Sequence, residues 1–296
     1  MSRNECECCF ENSDSWVILS PIEQSIKRKI EAAGTPLKDW DINIYRGVLT
    51  GYNEAFIISG EKRNEILSNC KTPEERAKTD ELIRPILRGR DIKRYSYNFA
   101  DLWLINTHNG IKEKGILPVN IEEFPAIKAH LDSFGDKLKK RTDKGNTPYN
   151  LRNCAYMEDF SKQKIVWAEL ARTGNAFVLD SSKFMVGNTA YILTTPKGRE
   201  QDLMYLLGIL NSRIILYYMN LICSRLDETG WRWLRQFVEI LPIPQINSAN
   251  AIREVVAKIT LENQKEMSEE INKHVASLYG LTPEEIDFIS EQLGTF

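Results

Sequence analysis

The stretch LIRPILRGRDIKRY, Leu82–Tyr95, decides how this chain is read. It carries five Arg or Lys against a single acidic residue, in a chain whose formal net charge is only -2. Residues 73–83 have helical composition, and Pro85 is expected to end or kink that helix. The spacing of Ile83, Ile86 and Leu87 predicts a short helical turn resuming before Gly89, with Arg84 and Arg88 projecting together. Gly89 then releases the chain into a turn bearing Arg90, Lys93, Arg94 and Tyr95. Guanidinium groups suit phosphates and guanine edges, and a tyrosine can stack. The plainer reading is a wet surface paired with Asp80, Glu81 and Asp91. With so little net charge, any nucleic-acid partner has to be held by a local positive field.

Working outward, 296 residues with 42% hydrophobic and 27% charged side chains can bury a core and do not fit a disordered chain. Charge is unevenly placed. Asp136–Arg152 holds six basic and two acidic residues, whereas the stretch from Ile246 to the end holds nine acidic and four basic. The cysteines Cys6, Cys8 and Cys9 form a C-x-C-C cluster without the gap of a zinc knuckle, and Cys70, Cys154 and Cys223 are scattered, so no metal is assigned. With no apolar secretory segment ahead of the cluster, free thiols in a reducing compartment are expected. The longest apolar run, YLLGIL followed by IILYYMNLIC, is interrupted by Asn211, Ser212 and Arg213, so no membrane partner is expected.

Ser20, Pro21 and Glu23 read as cap, first helical residue and capping-box partner of a helix with Ile22, Ile26 and Ile30 on one face and Gly34 as its stop. PLKDWDINIYRGVLTGYNEAFIIS reads as strand, turn, strand, the second strand being Ala55–Ser59. LWLINTHN, KIVWAEL, NAFVLD and NTAYILTT are strand candidates. FPAIKAHLDSFGDKLKKR reads as helix, RTDKGNTPYNLRNC as a polar loop, and residues 201–209 and 214–223 as two further helices. LPIP, residues 241–244, fits neither a helix nor a central strand and marks a boundary. The pattern beyond it is helical and ends in a short helix with Thr282 as its cap and Pro283 at the first helical position. The fold class is α+β, with a leader over 1–15, a mixed body over 16–245 and a helical segment over 246–296.

Two more runs are basic. KLKKRTDKGNTPYNLRN offers Lys139, Lys140, Arg141, Lys144, Asn150 and Arg152 in a loop-like setting suited to phosphates and base edges. SRLDETGWRWLRQ sets Arg225, Arg232 and Arg235 around Trp231 and Trp233, whose spacing reads as an extended segment with one packed face. Gly47 and Gly51 match no nucleotide-binding pattern. Catalytic constellations are lacking. His108, His130 and His274 stand apart from any zinc or nucleophile motif, and Asp159, Glu169 and Arg172 lack the lysine spacing of a nuclease centre.

Taken together, IYRGVLTGYNEAFII, LIRPILRGRDIKRY, DKGNTPYNLRNCAY, KIVWAEL, LLGILNSRIILYYM and LPIPQ resemble the C-terminal specificity region of TaqI-like, single-chain (type IIG) restriction-modification enzymes, over roughly Trp16–Gln245. The YGLTPEEI ending fits the same proteins. The resemblance implies a target-recognition domain for double-stranded DNA, working in the cytoplasm of a prokaryote beside an N6-adenine methyltransferase domain held in cis or in trans. That partner would bind S-adenosylmethionine. This chain departs from the full pattern. It has neither the glycine motif for the cofactor nor the Pro-Pro tetrapeptide of the catalytic centre, so no cofactor and no catalytic residue are assigned to it, and it reads as a fragment or a split subunit. The expected DNA-binding set is Arg84, Arg88, Arg90, Lys93, Arg94, Lys139, Lys140, Arg141, Lys144, Asn150, Arg152 and Arg232. The alternative from another class is a protein-interaction or assembly module, which would satisfy its arginines with carboxylates and expose an apolar docking face.

Overall fold

The computed structural model describes residues 19–172, 174–223, 230–245 and 249–294. The 1–15 leader with Cys6, Cys8 and Cys9, and Arg225 of the third basic run, lie outside the described residues.

A four-stranded antiparallel sheet is the backbone of the α+β fold, in the order Phe177–Asp180, Lys164–Ala168, Ala190–Thr194, Asn43–Arg46. Three of these strands are KIVWAEL, NAFVLD and NTAYILTT of the sequence. Every residue of Lys164–Ala168 and Ala190–Thr194 is buried, so both faces of the sheet are covered. The period-two alternation of a strand sends neighbours to opposite sides. Ile165 and Trp167 enter one core with Phe177, Leu206, Ile215, Ile252, Ile271 and Ile289. Val166 and Ala168 enter another, with Ile192, Ile86, Leu104 and Ile105. One sheet thus serves as a wall between a helical core and a second, sheet-based core. The helices after Pro244 belong to the first of these. Thr282 and Glu285 close the capping box of the last one, Pro283–Leu293, and Glu285 also binds Lys29 Nζ at 2.7 Å and Ser25 Oγ at 2.8 Å on the first helix, Pro21–Ala33.

The second sheet corrects the reading of Leu82–Tyr95. Its order is Met185–Val186, Ile83–Leu87, Leu102–Ile105, Ile57–Ser59, the first pair parallel and the rest antiparallel. The helix Pro73–Leu82 stops where Ile83 begins this strand, and no helical turn resumes before Gly89. Two physical terms outweigh the helical spacing. The residue before a proline is driven to extended backbone, and Ile83, Ile86 and Leu87 bury fully as a strand between two neighbours. Pro85 is tolerated because pairing with Met185–Val186 begins only at Ile86.

One smaller correction concerns the run before it. Asn53–Phe56 forms a helical turn, and the strand expected from Ala55 starts at Ile57. LPIP is no central strand, in keeping with its prolines: Pro242–Pro244 pairs only with Gly34–Pro36, in a two-stranded ribbon whose free edges need no proline N–H. Gly34 is required there, because a Cβ on it would lie 2.3 Å from the Pro242 carbonyl carbon.

Candidate nucleic-acid interface

A cleft of about 620 Å³ opens where three connections meet: the turn after Leu87, residues Ala168–Arg172, and the turn Gly187–Thr189. The backbones there approach closely. The Gly89 N–H donates to Thr189 Oγ1 at 3.0 Å, and a Cβ on Gly89 would come within 2.7 Å of the Thr189 carbonyl oxygen. Gly89 is therefore needed for proximity, while its backbone takes no positive φ that would itself call for glycine.

The cleft gathers cations from distant parts of the sequence: Arg46, Arg88, Arg90, Lys93 and Arg172. Arg88 is held rigidly, its Nε donating to Asp91 Oδ2 at 2.9 Å and its Nη2 to Oδ1 at 2.8 Å. Burial works to raise the Asp91 carboxyl's pKa, but the hydrogen bonds and charge of Arg88 outweigh it and hold the group below its ordinary value. Arg90, Lys93 and Arg172 are exposed and make no ion pair among the described residues. Arg232 faces Leu170 in the antiparallel pairing of Leu170–Ala171 with Trp231–Arg232, so its side chain stands on the same face. Trp231 and Trp233 are buried, as the extended reading expects.

Arg94 and Arg84 turn elsewhere. Arg94 is largely enclosed and donates to the backbone oxygen and side-chain oxygen of Asn175, whose own amide donates to Leu210 O and Ser212 O. Burial lowers the pKa of this guanidinium. Arg84 Nη2 reaches Lys183 O at 3.3 Å, and the side chain lines a separate cavity of about 200 Å³. Arg84 and Arg88, expected side by side, are thus parted by the strand.

In the segment 137–152, Lys139 and Lys140 close the helix Gly135–Lys140, and these two lysines, Lys144 and Arg152 are exposed. Arg141 is only 6% exposed and Asn150 only 1%. The Arg141 guanidinium donates to the carbonyls of Thr50, Asp143, Pro148 and Asn150 and lies 4.5 Å from the Phe56 ring centre. Burial lowers its pKa to about 10. Asn150 accepts from Thr147 Oγ1 at 2.6 Å and donates to Val119 O at 2.9 Å. These two residues are the internal frame that displays the lysines. The frame is fastened to the cleft, because Thr50 also donates through Oγ1 to Asn53 Oδ1 at 2.6 Å and Asn53 lines the cleft wall.

The sequence reading missed Arg46, whose Nη2 pairs with Glu169 Oε2 at 2.7 Å and whose Nε donates to Asn188 O at 2.9 Å. Its only local signal is an exposed position in an alternating strand. Arg172, considered only in a nuclease setting, belongs to the cationic rim. Asp159 bonds Lys162 Nζ and Thr194 Oγ1, away from Glu169, and no group of three His, Cys, Asp or Glu that could hold a metal occurs among the described residues. His108 is half-buried, its Nδ1 accepts from the Gly110 N–H at 3.1 Å, and burial pushes its pKa down. No single described helix is long and apolar enough to cross a membrane, and the adjoining pair Gln201–Leu210 and Arg213–Ile222 is bent by 65°.

An α+β body with a rigid cationic cleft and a framed basic loop has the build of a specificity module of restriction-modification enzymes. Residues 84–243 match the TaqI-like C-terminal specificity domain, and the chain belongs to that family. Two solved structures are similar in fold. The type IIL restriction-modification enzyme MmeI in complex with DNA matches with a TM-score of 0.61 at 14% identity, over 88% of this chain and 36% of that one. The type IIG restriction endonuclease BpuSI matches with a TM-score of 0.50 at 14% identity, over 89% of this chain and 33% of that one. The chain spans about a third of the length of each.

Proposed function

We propose that this chain recognises a specific sequence in double-stranded DNA for a restriction-modification enzyme and positions a target adenine for a methyltransferase domain held in cis or in trans. The observation that carries this reading is the convergence of Arg90, Lys93 and Arg172, which make no ion pair among the described residues, on one cleft of a TaqI-like specificity fold. These cations, with Arg232 and the exposed Lys139, Lys140, Lys144 and Arg152, hold backbone phosphates and set the register of the duplex. Arg88 and Arg46, oriented by carboxylates, have fixed geometry and stand where base edges pass. Arg94, Arg141 and Asn150 act at one remove by keeping the turn and the loop in shape. S-adenosylmethionine, the adenine pocket and the transfer chemistry belong to the partner domain, and the setting is the prokaryotic cytoplasm.

Selection of duplexes from a random-sequence pool by the purified chain, with washes at low and high salt, tests this. A short motif enriched at the higher salt is expected, because base contacts are less salt-sensitive than phosphate contacts. Absence of binding at both salts would overturn the reading in favour of an assembly module.

A further inference from the structure

The rim of the cleft is cationic, but its floor is apolar, built by Ile57, Ile92, Ala168, Leu170, Ala171 and Ala176. Glu169 is the one acidic side chain among its described lining residues, and its carboxylate is kept in place by Arg46. Phosphates are held by the exposed cations Arg90, Lys93 and Arg172 and find no partner on the apolar lining, so a bound duplex keeps its backbone at the rim and turns base edges toward the floor.

Leu170 is the part of that floor that protrudes. It is 52% exposed, whereas Ala168, Ala171, Ala176 and Ile92 are buried. Its position is fixed on both sides. Leu170 pairs with Arg232 in the ladder, and the adjacent Glu169 carbonyl accepts from the Trp233 N–H at 2.8 Å. An apolar side chain raised among cations on a fixed backbone is matched by an apolar group on the partner. On the major-groove edge of DNA that group is the C5-methyl of thymine.

We infer that Leu170 reads the C5-methyl group of a thymine in the bound duplex. The inference rests on the DNA-recognition reading above. It is tested on the duplex that the full chain selects, with each thymine replaced in turn by deoxyuridine, which removes only the methyl. At one position the replacement weakens wild-type binding about fourfold, the worth of one buried methyl group. Leu170→Ala, at an exposed position, weakens binding to the thymine duplex by at least that factor, does not respond to uracil at the same position, and keeps the wild-type salt dependence. A selected site at which no uracil replacement matters, or one where wild type and Leu170→Ala respond alike throughout, overturns the assignment and leaves the DNA reading intact. Failure to select any site overturns the DNA reading itself and this assignment with it, and it shows before any uracil is introduced.

Discussion

Replacing Arg90, Lys93 and Arg172 together by glutamine is expected to weaken binding to matched and mismatched duplexes alike, by about a hundredfold near physiological salt. The slope of log affinity against log salt should fall by about 2.7, since each phosphate contact contributes about 0.9. All three side chains are exposed on the cleft and none has an ion-pair partner among the described residues, so none is committed to holding the fold. The folded state should therefore lose little, because exposed substitutions of this kind stay within roughly 0.5 kcal/mol. A matched triple change of Lys258, Lys265 and Lys273, exposed on the acidic helical end, should leave affinity and slope unaltered. Titration of labelled duplexes across a salt series reads both quantities. A triple variant with wild-type slope would remove these residues from the phosphate contacts.

The second large effect is on stability. Lys164 and Asp180 form an ion pair with both side chains fully buried, Nζ to Oδ2 at 2.5 Å. Lys164 also donates to Phe160 O at 2.7 Å, while Asp180 accepts from the backbone N–H groups of Ser182 and Phe184. Burial pushes the lysine pKa down against the pull of the carboxylate. Lys164→Met leaves that carboxylate enclosed without its counter-charge, which costs about 3–5 kcal/mol. The pair ties Lys164–Ala168 to Phe177–Asp180 in the sheet that both cores share, so the loss should appear in a single cooperative transition. Lys164→Met/Asp180→Leu should recover only part of it, because the Ser182 and Phe184 N–H groups and the Phe160 carbonyl lose their partners. Urea unfolding of the three variants checks this. A Lys164→Met protein as stable as wild type would show that the pair contributes little to the fold.

Much of the fold is legible in the sequence where a local rule and the burial pattern agree. The Ser20–Glu23 capping box, the stripe through Ile26 and Ile30, and the runs KIVWA and AYILT carry their structure in their own spacing. Ile83–Leu87 is not legible, for the opposite reason. Its apolar spacing suits a helix, and only the sheet waiting on both sides of it makes the strand the better burial. The site divides in the same way. A run of Arg and Lys announces a cationic surface, yet composition does not say which guanidinium faces outward. Arg141 and Arg94 sit among exposed cations in the sequence, but each is turned inward by carbonyls that the sequence places far away or around a loop. Arg46 meets Glu169 across 123 positions of chain, a contact no local pattern encodes.

Under the proposed function, the face bearing the cleft and the segment 137–152 meets DNA while the acidic helical end does not. This is tested most directly by mapping lysine reactivity toward an acetylating reagent in the full chain, with and without the selected duplex. DNA should shield Lys93, Lys139, Lys140 and Lys144 and leave Lys258, Lys265 and Lys273 as reactive as before. Shielding spread evenly over both groups, or centred on the helical end, would contradict it.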